Sequence, residues 1–194
     1  SSQTATLAFG ANNHGSKSVG ERQQWLQTSL YNLFGWNDVI HLNMNQAMEQ
    51  ENNISGKLSY EKFIGNRESF TTSLSRNEYE LGEDLSILQL QGSYSSIRGQ
   101  YKLKTARTAS LSKSHIYNLD YRQSELISEF NISNLEQKNS ALLTGYQYTT
   151  TGYDISQGSY LTSSIQLSGI FITEGEEQLT DDVFIKFNGF LQWG

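Results

Sequence analysis

The stretch Val183–Trp193, which reads VFIKFNGFLQW, alternates apolar and polar residues and decides the fold class. One set of alternate positions holds Val183, Ile185, Phe187, Leu191 and Trp193. The other set holds Lys186, Asn188 and Gln192, with Phe184 and Phe190 as exceptions. A period of two is the strand period, so the pattern predicts a β-strand with one apolar and one polar face.

The same alternation recurs along most of the chain. In Val39–Met48, for example, Ile40, Leu42 and Met44 alternate with His41, Asn43 and Asn45. We predict about ten strands, at Thr4–Ala11, Glu21–Phe34, Val39–Met48, Ile54–Ile64, Ser69–Leu81, Tyr94–Leu103, Thr108–Tyr121, Ser140–Thr151, Ser159–Phe171 and Val183–Trp193. Gly82–Leu85 begins a longer connection, and Arg122–Asn139 is expected to form a long hairpin loop with partial β-structure.

The composition is too hydrophilic for a large apolar core. Mean hydropathy is -0.54, hydrophobic residues make up 36%, and no apolar run is long enough for a membrane helix. Two-faced strands without a large core are typical of a membrane-spanning barrel, with lipid outside and water within. The sequence therefore predicts an all-β, antiparallel transmembrane β-barrel over residues 1–194, as one domain or as its N-terminal part.

A soluble β-barrel or sandwich, with the apolar face turned inward, is the alternative. The long strands favour the membrane interpretation, since strands of soluble domains usually have about five or six residues. Charged residues in mid-strand also fit the wall of an aqueous lumen, although a solvated outer face would carry them too. The candidate lumen-wall residues are Lys57, Glu61, Arg98, Lys102 and Lys186.

No pattern in the chain indicates catalysis, a cofactor or a metal site. There is no cysteine, and the three histidines (His14, His41 and His115) are expected to be ordinary polar-face residues. An acidic segment (Glu174, Glu176, Glu177, Asp181 and Asp182) is best interpreted as a solvated loop. With a net charge of -6 and no basic cluster in the sequence, nucleic acid is not an expected partner.

Four segments in the first half of the chain, in order, resemble the barrel of two-partner secretion transporters. They are Asn12–Gly20 (NNHGSKSVG), Asn32–Asp38 (NLFGWND), Tyr60–Gly65 (YEKFIG) and Ser75–Gly82 (SRNEYELG). The residues that carry the resemblance are Asn12, Asn13, Gly15, Ser16, Gly20, Gly35, Asp38, Tyr60, Gly65, Tyr79 and Gly82. We interpret them as architectural, because Gly35 and Gly65 suit tight turns and Asp38 can close a turn.

The chain also departs from the family pattern. Asn12 stands where the family has aspartate and Val19 where it has threonine, while Phe63 and Lys102 replace expected prolines. The family barrel has sixteen strands, whereas about ten are predicted here. The chain also lacks the family's periplasmic capture domains and the loop that enters the lumen. It is therefore interpreted as a fragment or a shortened form of that barrel. Closure on itself would require Thr4–Ala11 to pair with Val183–Trp193.

The resemblance implies a barrel in a Gram-negative outer membrane that passes an unfolded exoprotein without ATP or cofactor. Membrane lipid or detergent and a secreted exoprotein are the implied partners. This chain alone is expected to be inactive in secretion. Two other functions stay open: a small closed barrel acting as a passive pore or engineered scaffold, and a soluble β-barrel binding protein.

Overall fold

The structure is a computed structural model that describes residues 4–15, 20–49, 53–81, 89–108, 110–128, 135–154, 159–174 and 184–193. It contains ten strands: β1 (Thr4–Asn12), β2 (Gln23–Tyr31), β3 (Asp38–Ala47), β4 (Ile54–Ile64), β5 (Glu68–Glu80), β6 (Leu90–Arg107), β7 (Leu111–Ser128), β8 (Leu135–Asp154), β9 (Ser159–Glu174) and β10 (Phe184–Trp193). The predicted all-β class and the ten strands are confirmed. Within these ranges, no helix is long and apolar enough to cross a membrane.

All ten strands form one antiparallel sheet in chain order, so each strand pairs with its sequence neighbours. Within the described residues β1 pairs only with β2 and β10 only with β9. The sheet is therefore open in the described structure, and the pairing of Thr4–Ala11 with Val183–Trp193 is not formed.

Four strands, β6 to β9, are longer than the sequence predicted by three residues or more, and β9 continues to Glu174 rather than Phe171. β6 begins at Leu90 rather than Tyr94, β7 continues to Ser128, and β8 begins at Leu135. The long hairpin loop expected over Arg122–Asn139 is therefore wrong, and only 129–134 lie between the two strands. In this region Ser124 pairs with Asn139 and Glu125 with Lys138. Because runs of consecutive polar residues, 122–125 and 136–140, occur in these strand ends, the period of two that reveals a strand is lost there.

The connections at the two ends of the sheet differ in length. The turns that follow β2, β4, β6 and β8 span 32–37, 65–67, 108–110 and 155–158. The connections that follow the odd-numbered strands span 13–22, 48–53, 81–89, 129–134 and 175–183. We call the end of the sheet with the first set of connections the short-turn end, and the opposite end the long-loop end. The asymmetry is typical of outer-membrane barrels.

Register separates the side chains into two faces. Leu42, Leu58, Leu74 and Ile97 are paired in succession across β3 to β6, so they share one face. We call it the apolar face, and the face that carries Ser59, Ser73 and Arg98 the polar face. The apolar face is the exposed one: Phe9 is 78% and Ile97 56% exposed. Its other exposed large residues include Leu7, Met44, Leu58, Phe70, Leu74, Leu119, Leu161, Ile165 and Leu167.

No second layer covers either face within the described residues, since the substantial contacts between elements join neighbouring strands. Even so, Ser69, Ser73, Ser96 and Asp120 on the polar face are buried. Small side chains on a one-layer sheet become buried when the sheet curls towards them and longer neighbours close over them. The polar face is thus the inner face of a curled sheet.

Candidate functional site

An aromatic row crosses the apolar face near the short-turn end. Phe70, Tyr101, Tyr117 and Tyr146 are paired in succession from β5 to β8. The Tyr101 and Tyr117 rings are stacked with centroids 6.2 Å apart, and those of Tyr117 and Tyr146 lie 5.1 Å apart. The Tyr101 hydroxyl donates to Glu68 at 2.9 Å. Aromatic rings with polar ends are suited to the boundary between hydrocarbon and water.

His115 lies on this apolar face, which corrects the expectation that it is a polar-face residue. It is opposite Leu103 on β6 and Tyr148 on β8. Its Nδ1 lies 2.9 Å from the Tyr146 hydroxyl, and its ring centroid lies 5.0 Å from that of Tyr148. The tyrosine hydroxyl satisfies the imidazole there, so the ring tolerates an otherwise apolar surface.

The turn after β2 is closed by Asp38, which is only 1% exposed. Its carboxylate accepts hydrogen bonds from the backbone N–H of Trp36 at 3.2 Å and of Phe34 at 3.4 Å. Gly35 has a φ of 77°, a left-handed conformation that favours glycine. Outside the turn, Lys62 Nζ lies 4.8 Å from the centre of the Trp36 ring. The turn therefore presents aromatic rings at the short-turn end, and Lys62 of β4 lies over one of them.

Three other residues of the family pattern, Gly65, Tyr79 and Tyr60, have turn or ring contacts in the structure. Gly65, with a φ of 62°, begins the three-residue turn 65–67. Tyr79 on β5 is paired with Gly92 on β6, and a Cβ added at Gly92 would overlap the tyrosine ring. The ring thus covers the surface that the glycine leaves open, in the arrangement known as aromatic rescue. Tyr60 lies on the apolar face, with its ring centroid 6.1 Å from that of Phe34.

The first family segment follows β1. Asn12 Oδ1 accepts from the His14 N–H at 3.1 Å, and the Gly15 N–H donates to the Glu21 carbonyl at 3.1 Å. Gly20 has a φ of 99°. Asn13 lies between the bonded residues, while Ser16 and Gly82 lie outside the described residues. These hydrogen bonds are local, whereas Gly20 is buried against Ala47 of β3, where an added Cβ would overlap the alanine side chain.

Four of the candidate lumen-wall residues share the polar face. Lys57, Glu61, Arg98 and Lys102 lie on it by register, on β4 and β6. Lys186 lies on β10, whose side chains are outside the described structure. Arg98 is ion-paired, whereas Lys57, Glu61 and Lys102 have no opposite charge within 4.0 Å in the described residues.

The ion pair of Arg98 belongs to a cluster that the sequence did not reveal. Arg98 and Arg122 both donate to Asp120 Oδ2, from Arg98 Nη2 at 2.8 Å and from Arg122 Nε at 2.9 Å. Asp120 is 3% exposed, and its Oδ1 is buried without a partner among the described residues. Only the register of β6 against β7 puts Asp120 opposite Arg98, so the sequence carried no direct signal for it.

Neutral amides and hydroxyls fill most of the remaining polar face. Gln100 donates to Asn118 at 2.8 Å, and the Ser75 and Ser96 hydroxyls lie 2.7 Å apart. Towards the long-loop end the face forms a groove of about 660 Å³. Its lining includes Trp25, Gln27, Asn43, Asn45, Ser55, Lys57, Ser75, Asn77 and Tyr94. Such a surface offers many hydrogen-bond donors and acceptors with little charge.

The long-loop end carries its own ion pairs. Arg22 donates from its side chain to the Glu49 carboxylate, and its backbone N–H reaches Glu49 Oε2 at 3.1 Å. The hydrogen bond between the two side chains lowers the pKa of Glu49 and raises the pKa of Arg22. On the apolar side, Lys138 Nζ lies 3.1 Å from Glu125 and 2.6 Å from Glu136. The apolar surface therefore gives way to charged residues before the strands end.

The described residues do not gather a set of ligands for a metal ion. No group of three His, Cys, Asp or Glu within them could hold a metal ion. His41 Nδ1 lies 2.7 Å from the Ser29 hydroxyl on the polar face, far along the sheet from His115. The acidic segment beyond Glu174 lies outside the described residues.

Comparison with protein families gives one finding. The model of the family described as haemolysin secretion/activation protein ShlB/FhaC/HecB matches residues 1–169. No significant match is found among curated proteins or among solved structures. The match extends from the four segments of the first half into β9, and it agrees with the two-faced antiparallel sheet. The chain belongs to the ShlB/FhaC/HecB family, the family of two-partner secretion transporters.

Proposed function

We propose that residues 1–194 form one membrane-spanning β-barrel domain, or its N-terminal part, of a transporter that passes an unfolded exoprotein across a Gram-negative outer membrane. The observation that carries the proposal is the exposure of the apolar face. The chain belongs to the two-partner secretion family, and its large apolar side chains point away from the polar inner face. Such an exposed apolar surface requires an apolar surrounding.

The apolar face has the layout that a bilayer requires. β6 has 18 residues and β8 has 20. A tilted strand needs about 9–11 residues to cross the hydrocarbon, so about half of each strand lies beyond it. The apolar stretch is bounded by the aromatic row near the short-turn end and by Arg76, Glu125 and Lys138 towards the long-loop end. We infer that the charged strand ends project outside the membrane.

The unequal connections give the sheet a direction. In outer-membrane barrels short turns lie on the periplasmic side and longer loops on the external side. On this basis the short-turn end, with Gly35 and Gly65, faces the periplasm. The loop that follows β1, with Asn12 and Gly15, then faces outward.

The polar face suits the passage of an extended polypeptide. Serine, asparagine and glutamine side chains can replace water around peptide groups, and each net hydrogen bond contributes only about 0.5–1.5 kcal/mol. Contacts of that strength form and break without trapping the chain. Asp120 offsets one of the two charges of Arg98 and Arg122, so this part of the wall keeps one net positive charge on an otherwise neutral surface.

Transport of this kind needs no catalytic group, so we propose that the chain is not an enzyme. Membrane lipid and the exoprotein are its partners, without cofactor or nucleic acid. A soluble binding protein would have to cover Phe9, Leu74 and Ile97, which no described element does. A passive pore or engineered scaffold would share the same two faces.

Folding in detergent and in plain buffer tests the proposal. The chain should become β-rich by circular dichroism only with detergent, and should run faster on a gel before boiling than after. A monodisperse β-rich fold in buffer alone would contradict the membrane placement. In cells that express only these residues, no exported partner should appear. A conductance across planar bilayers without any partner would favour the passive pore.

A further inference from the structure

The short-turn end of the polar face gathers four cations, three from the end of β6 and one from the turn before β5. Lys104 N–H donates to the Arg67 carbonyl at 2.7 Å, and Ser69 is paired with Lys102. Together with Arg107 these residues line a groove of about 550 Å³. Lys102, Lys104 and Arg107 are close together in the sequence, and the β5–β6 pairing adds Arg67 beside Lys104. We call Arg67, Lys102, Lys104 and Arg107 the cationic mouth.

The cations of the mouth lack counter-charges. Within the described residues none of the four lies within 4.0 Å of a carboxylate, whereas Arg22, Arg76, Arg98, Arg122 and Lys138 all do. Two carboxylates line the groove, Glu61 and Glu68, and Glu68 accepts from the Tyr101 hydroxyl. The groove therefore keeps a net positive charge that its own side chains do not neutralise.

We propose that the cationic mouth docks an extended, acidic peptide segment. Lys102 and Lys104 are alternate residues of one strand, so their side chains leave the same face about 6.6 Å apart. Alternate carboxylates of an extended peptide have that same spacing. Exposed lysine side chains with this spacing attract the carboxylates of such a peptide through several weak ion pairs.

The position of the mouth favours a peptide over lipid headgroups. Lys102 lies on the polar face, beside Ser69 and opposite in direction to the neighbouring Tyr101 and Leu103. Headgroups would gather around the outer, apolar face, where Lys62 lies over Trp36. The inference rests on the proposed function, because it names the kind of segment that would be received at the periplasmic end of the polar wall.

The test measures peptide binding by the 194-residue chain folded in an uncharged detergent. The probe is a fluorophore-labelled peptide of alternating aspartate and serine, and the reference peptide alternates asparagine and serine. Fluorescence anisotropy should show tighter binding of the acidic peptide at about 0.05 M salt, and loss of that preference at about 0.5 M. The double variant Lys102→Gln/Lys104→Gln should weaken binding about threefold to tenfold.

Two further variants make the result specific. Arg67→Gln/Arg107→Gln, at a turn residue and at the last residue of β6, should weaken binding similarly and gives a second route if the first double variant folds poorly. Lys62→Gln is the matched control, since Lys62 is a cation near the same end of the sheet but lies on the apolar face, over the Trp36 ring. It should leave binding of the acidic peptide within about twofold of the unmodified chain.

Three outcomes would overturn the inference. They are equal binding of the two peptides, an equal loss with Lys62→Gln, and a mouth that binds phosphatidylglycerol vesicles but not the acidic peptide. Any of these, in a chain that folds only with detergent, would leave the proposed function standing. Detergent-dependent folding is measured separately, so failure of peptide docking can be distinguished from failure of the proposed function.

Discussion

Arg98 on β6 and Asp120 on β7 are paired directly across the polar face, with Arg98 Nη2 donating to Asp120 Oδ2 at 2.8 Å. Arg122 donates to the same oxygen, so one carboxylate holds two guanidinium groups. Asp120 is 3% exposed while both arginine side chains stay about two-fifths exposed. The carboxylate is therefore the fixed element of the wall, and the arginines reach from it into the space above the polar face.

Replacing this carboxylate should destabilise the sheet. Asp120→Asn leaves two guanidinium groups without their counter-ion, and should lower the free energy of unfolding by about 1–3 kcal/mol. Asn118→Ala, which removes only a neutral bond to Gln100, is the control and should cost about 0.5–1.5 kcal/mol. Urea unfolding of the chain in detergent measures both. An Asp120→Asn variant as stable as the unmodified chain would show that the pair is solvated and dispensable.

Tyr79 and Gly92 should be energetically coupled. Gly92→Ala forces the Tyr79 ring off its position and should cost about 1–3 kcal/mol. Gly56→Ala, where the added methyl group meets open space, should be neutral or slightly stabilising. In a double-mutant cycle, adding Gly92→Ala to Tyr79→Ala should cost less than adding it to the unmodified chain. If the destabilisations caused by the two substitutions are strictly additive, the Tyr79 ring does not cover Gly92.

The two faces should respond oppositely to a charge. Leu58→Arg puts a guanidinium on the apolar face and should cost about 2–4 kcal/mol in lipid vesicles. Ser59→Arg, one residue further and on the polar face, should cost less than about 1 kcal/mol. Denaturant titration in vesicles gives both values. Equal costs at the two positions would mean that neither face lies against lipid.

The hydrogen bond between Arg22 and Glu49 should make the connections at the long-loop end sensitive to acid. Because Arg22 lowers the pKa of Glu49 below its ordinary 4.5, the bond stabilises the loops above that pH and is lost as the pH falls through the lower, folded value. Carboxyl NMR titration in micelles should show the depressed pKa of Glu49. In Arg22→Gln it should return towards the ordinary value, and an unchanged titration would contradict the assigned bond.

Much of this fold follows from the sequence because apolar and polar residues alternate along most of its strands. β3 and most of β4 show this alternation, and their predicted faces agree with the register. The extended ends of β7 and β8 were missed because runs of consecutive polar residues, 122–125 and 136–140, interrupt the alternation. Asp120 was missed for another reason: its role depends on its position opposite Arg98, and a sequence read along one strand does not contain that information. The same holds for Arg67 in the cationic mouth, whose other three cations are close together along β6.

The central claim is that the apolar face meets lipid and the polar face meets water. Because the chain has no cysteine, single spin labels can be attached at Lys57→Cys, Leu58→Cys, Ser59→Cys and Tyr60→Cys on β4. In vesicles, labels at 58 and 60 should collide with lipid-soluble oxygen, and those at 57 and 59 with a water-soluble nickel chelate. Uniform access to the chelate along β4, or the inverse alternation, would contradict the claim.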